Sequence, residues 1–417
     1  MRPAAKAFRE MNCRRWTCTV LILCTMLILL AAQTPAHADA FKVIYNFCSE
    51  INCTDGLSPS APLGPVAGFT IYGTTSGGGT SSPGTIPPGT IFKIDLSGKL
   101  TTLFNFDYTN GAAPDGLIGT FNGTLFGTTA LGGTNDQGTV FEFSNDSVTT
   151  LHSFNRHENH DGDTPTGLLQ ATNGLFYGTT GQGGTNPGPF GFGAGTIYEI
   201  TSDGTITILY NFCSETNCAD GVGPAPLIQA RNGNLYGTTG LGGTYGHGTI
   251  FEISPNGGTL TTLHSFDNSD GSNPDAAVIQ ASDGNLYGTT SSGGTYGFGT
   301  VFEISPDGGT LRTLHEFEGT GTDGAGPYAA LLQAWDGNLY GTTVNGGTGG
   351  GVGTIFKITL KGNLTTLHSF NGTDGANPDT ALIQGPFGIL YGTTPNGGAN
   401  GQGGTVFEQY VTPFTAP

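Results

Sequence analysis

Asn285-Leu-Tyr-Gly-Thr-Thr290 is followed by the glycine-rich stretch Ser291-Ser-Gly-Gly-Thr-Tyr-Gly-Phe298, then by Thr300-Val-Phe-Glu-Ile304, Pro306-Asp-Gly-Gly309 and Leu311-Arg-Thr-Leu-His-Glu-Phe317. Just upstream, Ala277-Val-Ile-Gln280 runs into Ser282-Asp-Gly284. Short β-prone runs are thus separated by Asp-Gly and Gly-Gly, which reverse the chain because glycine accepts the positive φ that primed turns require. One unit is therefore four antiparallel strands, and nothing in it has helical spacing. Its tripeptide Gly-Thr-Thr recurs at Gly73, Gly127, Gly178, Gly237, Gly288, Gly341 and Gly392, 51 to 59 residues apart. Four short strands per unit, repeated in tandem, is the pattern of a β-propeller.

The two ends of the array fit one another. Phe41-Lys-Val-Ile-Tyr-Asn-Phe47 matches the fourth-strand stretch Ile206-Thr-Ile-Leu-Tyr-Asn-Phe212, whereas Gly404-Thr-Val-Phe-Glu408 is a third strand with no fourth after it. The predicted fold is all-β: a seven-bladed β-propeller of four-stranded antiparallel blades, closed by the N-terminal strand completing the last blade. Such a ring leaves only short edges exposed to stray strand pairing.

The units Leu-Tyr-Gly-Thr-Thr, Gly-Gly-Thr, Gly-Thr-Val-Phe-Glu-Ile, Gly-Gly-Thr-Leu and Leu-His-Ser-Phe resemble the GloVer-type repeats of bacterial choice-of-anchor tandem repeat proteins, over Phe41 to Tyr410. The resemblance implies an exported bacterial protein, often with an anchoring tail, and brings no established catalytic residues. Val411 to Pro417 departs from that pattern, with neither an apolar anchor nor a basic stop.

Residues 1–38 read as a signal peptide. Arg2, Lys6, Arg9, Arg14 and Arg15 precede an apolar run from Val20 to Ala32, and Ala36-His-Ala38 has the small-x-small form of a cleavage site. The expected layout is that leader, one propeller over 39–410 and a short tail, 411–417, with no transmembrane segment in the mature chain. Of 13 basic and 31 acidic residues, the leader holds five and one, leaving a mature net charge of about −22. So acidic a surface repels phosphate backbones and excludes nucleic acid as a partner. The leader also takes three of the seven cysteines. The remaining four stand in twin hexapeptides, Cys48-Ser-Glu-Ile-Asn-Cys53 and Cys213-Ser-Glu-Thr-Asn-Cys218. Two small disulfide loops suit an exported protein, and a four-thiolate metal site is the alternative.

Candidate site residues fall on the loops after the second and fourth strands, the long loops of each unit. Asp/Asn-Gly-x-x-Pro recurs at Asp55, Asn110, Asp161, Asp220, Asp270, Asp323 and Asp374. A ring of carboxylates for calcium is one reading. The favoured one is an Asx turn whose side chain caps backbone amides, because Asn110 carries no charge. The loops after the second strands carry Phe190, Phe192, Tyr245, His247, Tyr296 and Phe298. On glycine-flanked supports these rings either stack on sugars or a protein partner, or fold down between blades. His152, His264, His315 and His368 recur in fourth strands, and Glu142, Glu199, Glu252, Glu303 and Glu408 in third strands, a pattern that predicts cross-strand Glu–His contacts. His157, His160 and Asp161 form the one candidate metal set, with a solvated charged loop as its alternative.

No unique nucleophile, acid and base stand together, and no cofactor is expected beyond that divalent ion. The sequence therefore points to a secreted, monomeric, non-catalytic propeller that binds an extracellular carbohydrate or protein on its long-loop face. Two alternatives are a polysaccharide lyase or hydrolase using acids at the central channel, and an adhesive module.

Overall fold

The structure is a computed structural model that describes residues 40–64, 66–67, 70–80, 88–120, 123–189 and 191–411. The leader and residues 412–417 lie outside the described residues.

Seven antiparallel sheets follow one another around a ring, each carrying a Gly-Thr-Thr unit in its second strand. Blade 1 comprises Val66–Ala67, Thr70–Thr75, Thr90–Asp95 and Leu100–Asn105; blade 5 repeats the order with Ile279–Gln280, Leu286–Thr290, Thr300–Ile304 and Arg312–Glu316. The seventh blade takes its first three strands from Ile383–Gln384, Leu390–Thr394 and Thr405–Gln409, and its outer strand from Phe41–Asn46. Closure by the N-terminal strand is thus observed. Its register runs from Phe41 opposite Gln409 to Asn46 opposite Thr405, with a shift between Val43 and Tyr45. The same shift marks the outer strand of blade 4, where Ile250 faces His264 and Phe251 faces Thr262. The N-terminal strand therefore reproduces the outer-strand bulge and not merely its sequence.

The Gly-Thr-Thr tripeptide is explained by three contacts. A Cβ at Gly288 would lie 2.5 Å from Cζ of Phe302, and one at Gly237 would lie 2.6 Å from Cζ of Phe251, so the third-strand ring leaves room for glycine alone. In five units the first threonine reaches the neighbouring blade, as where Thr179 Oγ1 donates to the carbonyl of Ala225 at 3.0 Å and Thr238 Oγ1 to that of Ala276 at 2.8 Å, whereas Thr128 and Thr393 bond within their own blades. The second threonine pairs within the blade, as Thr239 with Thr249 and Thr290 with Thr300, each at 2.9 Å and buried. These bonds satisfy hydroxyls that burial would otherwise leave costly.

An aromatic girdle joins the blades. The outer-strand Phe47, Phe106, Phe154, Phe212, Phe266, Phe317 and Phe370 are all sealed from solvent. Each sets its ring against the third-strand aromatic of the next blade, from Phe47 on Phe92 to Phe370 on Phe407, at 5.2–5.4 Å between centroids. These edge-to-face contacts pack with buried Leu, Ile and Val, such as Val278, Leu286 and Ile304, to form the core between sheets.

Candidate ligand-binding site

The loops after second and outer strands meet on one face. Gly243 N donates to the carbonyl of Cys218 and Gly294 N to that of Asn268, so each glycine-rich loop is tied to the Asp/Asn-Gly-x-x-Pro loop that enters its own blade. On the opposite face the turns are short and locked. Gln229, Gln280, Gln333 and Gln384 each accept a backbone N–H from the preceding blade's turn.

The recurrent aspartates act as caps. Asp55 accepts from Ser49 N at 3.0 Å and from the Tyr45 hydroxyl at 2.9 Å, and Asp220 accepts from Ser214 N and Tyr210 in the same way. Asp161, Asp270 and Asp374 each accept a backbone N–H and a histidine: His152 at 2.8 Å, His264 at 2.7 Å and His368 at 3.0 Å. Burial disfavours the charged form of Asp323 and Asp374, but the bonds from His315 and His368 and from backbone amides outweigh it. Both carboxyls are held below the usual carboxylate range. In the remaining unit, Phe104 stands where the others have histidine or tyrosine, and there the cap is Asn110, which accepts from Asp107 N. A side chain that receives no second donor has no need of a charge.

The expected Glu–His contacts are replaced by these Asp–His contacts. His264 faces Ile250, and Glu252 faces Thr261, because the outer-strand bulge rotates the histidine toward the loop. Glu199, Glu252 and Glu303 bond instead to a tyrosine or turn amide at the second strand, as Glu252 does with Tyr236 at 2.8 Å and Asn234 at 2.6 Å, while Glu142 accepts from Ser144 and Glu408 from Lys42. The two cysteine pairs are disulfides, Cys48–Cys53 and Cys213–Cys218, each with Cα atoms 4.0 Å apart.

The loop aromatics face outward. Phe192 is 54% exposed, Tyr245 62%, Tyr296 52% and Phe298 44%, on three consecutive blades of the long-loop face. His247 is tied down, its Nδ1 3.0 Å from the Ser272 hydroxyl, and Phe190 lies outside the described residues. Tyr245 walls a cavity of about 590 Å³ with Glu215, Thr262, Asp267 and Asp270. A second cavity, of about 340 Å³, brings together Arg156, His157, His160 and Phe192. The loop that bears its histidines is pinned from within: Asn155 Oδ1 accepts from His157 N and Glu158 N, and Asp161 Oδ1 accepts from Asn155 N at 2.7 Å. Asp161 is thereby turned inward to His152, away from His157 and His160. Among the described residues no three His, Cys, Asp or Glu side chains stand together as a metal set. Phe192 is fixed through its carbonyl, which accepts from Gly183 N at 2.8 Å.

Three acids at the head of the inner strands were not singled out in the sequence: Asp115, Asp275 and Asp379, each following the repeat proline. Burial raises all three carboxyls, that of Asp379 to about 6 with the charge of Asp115 contributing. Asp275 accepts from the Ser291 hydroxyl at 2.8 Å, whereas one oxygen of Asp379 has no hydrogen-bond partner in the protein.

The model of the Gloeobacter/Verrucomicrobia repeat matches residues 33–225 and 223–413, nearly the whole chain. The chain belongs to this family. No curated protein matches the sequence. Among solved structures, virginiamycin B lyase from Staphylococcus aureus is similar over 89% of this chain and 99% of its own, with a TM-score of 0.56 at 13% identity. The extracellular domain of a one-component system from B. thetaiotaomicron matches 88% of this chain and 39% of that chain, with a TM-score of 0.56 at 11% identity. At such identities the likeness is one of fold.

Proposed function

We propose that this repeat protein is an exported, monomeric propeller, one domain over 39–410, that binds an extracellular carbohydrate on its long-loop face without transforming it. The observation that carries this reading is the arc of exposed rings, Phe192, Tyr245, Tyr296 and Phe298, displayed by three consecutive blades on glycine-supported loops. Flat apolar faces with polar surroundings suit stacking on sugar rings, and cavities of a few hundred Å³ beside Tyr245 and Phe192 match one or two such rings. The repeated Asp–His pairs serve as loop caps in four blades, a structural role that supports reading them as scaffold and not as an acid and base of catalysis. Export is supported by the leader sequence and by the two disulfides.

The test is a glycan array followed by calorimetry on the strongest hits. Replacing Tyr245, Tyr296 and Phe298 together by alanine is expected to weaken binding by about tenfold or more while the melting temperature holds. Undiminished binding by the triple variant removes the aromatic arc from the account, and capture of proteins but no glycan favours a protein ligand.

A further inference from the structure

The cavity beside Phe192 differs from its neighbours in the charge of its walls. The Tyr245 cavity includes Glu215, Asp267 and Asp270, and the one between the outer strands of blades 5 and 6 includes Glu318 and Asp323. The Phe192 cavity has no carboxylate among its lining residues; it presents Arg156, His157 and His160 above a floor of glycine backbone. In a chain with 31 acidic and 13 basic residues, this is the reverse of the average surface.

The cationic group is also held in place. Arg156 Nη1 is paired with the largely buried Asp163, its Nε donates to Nε2 of His157 at 3.3 Å, and its backbone N–H is bound by Gln137. The guanidinium carbon lies 5.5 Å from the centroid of the exposed Phe192 ring. A guanidinium that has already lost its rotamer freedom costs little further entropy on binding, and its remaining Nη2 edge offers directional donors to an anion. Asp163 offsets part of the positive charge, so recognition rests on placed donors more than on net attraction. The aromatic wall next to them fits a sugar ring that carries the anion.

We propose that this cavity is a subsite for an acidic sugar, a uronic acid residue whose carboxylate is held by Arg156 and the adjacent imidazoles while its ring lies against Phe192. This inference rests on the carbohydrate-binding reading above. Three probes of matched length test it by calorimetry on the full mature chain: trigalacturonate, its methyl ester and a sulfated galactose trimer. The expected result is that the parent protein prefers trigalacturonate to the methyl ester by about tenfold or more. Arg156→Gln is expected to abolish that preference, Arg156→Lys to restore part of it, and Phe192→Ala to weaken both ligands alike. Phe192 is exposed, so Phe192→Ala is expected to leave the fold intact and keeps the test meaningful if Arg156→Gln is destabilised. Equal affinity for acid and ester, or a preference that survives Arg156→Gln, overturns the inference while leaving neutral-sugar binding at Tyr245 and Tyr296 to stand. Tighter binding of the sulfated trimer overturns the assignment to a carboxylate, and binding of no saccharide overturns both readings.

Discussion

Replacing Phe47 by alanine breaks the aromatic girdle at the one seam that joins the two ends of the chain. Phe47 is sealed from solvent and lies 5.2 Å from both the Tyr45 and Phe92 rings. Truncating a buried phenylalanine costs about 3–5 kcal/mol, through lost transfer energy and the cavity left behind. Phe266→Ala removes the same ring from the seam between blades 4 and 5, where it meets Phe302 at 5.3 Å, and is expected to cost a similar amount. The two variants therefore hold packing constant and vary connectivity. At Phe266 the outer strand continues from its own blade through a tight turn, so loosening it draws the whole ring into unfolding. The strand Phe41–Asn46 has no covalent link to the blade it completes. Besides Phe47 it is held by the ladder to Thr405–Gln409, by Lys42 to Glu408 at 3.1 Å and by Phe41 stacked on His368 at 3.6 Å. Phe47→Ala is expected to open this strand locally, so that hydrogen exchange speeds up first at the amides of Thr405–Gln409, whereas Phe266→Ala raises exchange evenly. Identical exchange patterns in the two variants would refute the latch.

Two further outcomes follow from the interior. Gly288→Ala places a methyl 2.5 Å from Phe302 and is expected to lower stability by about 1–3 kcal/mol in urea titration, although this glycine has no left-handed backbone; an unchanged midpoint contradicts the steric account of the tripeptide. Asp379 has its carboxyl raised to about 6 in the folded state, above its ordinary value, so its favourable contribution is present in acid and is lost as pH rises through 6. Asp379→Asn is thus expected to be more stable than the parent at pH 8 by about 1–2 kcal/mol, after allowance for partial exposure, and little different at pH 4. A stability difference that ignores pH sinks this assignment.

The ring was legible in the sequence because its determinants are local and repeated. Asp-Gly and Gly-Gly turns define the strands, the tripeptide marks the second strand of every blade, and the match of Phe41–Phe47 to Ile206–Phe212 locates the closure. The capping role of the Asp/Asn-Gly-x-x-Pro loops was legible for the same reason. The histidine partners were not, since a bulge moves each outer-strand histidine out of the simple antiparallel register and toward an aspartate on its own following loop. Nor was the pairing of Arg156 with Phe192, which lie on separate loops that meet only once the blade has folded. In the sequence, His157 and His160 read with Asp161 as a metal set; the fold turns Asp161 inward and sets the two histidines beside an arginine and an aromatic ring instead.

Lys42 and Glu408 bond across 366 positions of chain. During synthesis the strand Phe41–Asn46 must therefore wait, unpaired, until almost every later residue has been made, and six complete blades can form beside it in the meantime. Loop closure over such a span makes the final docking slow relative to the hairpins it completes. The order of manufacture and the order of assembly run in opposite senses at this seam, so a nascent ring remains vulnerable at one known place, the bare flank of Thr405–Gln409, until its oldest segment returns.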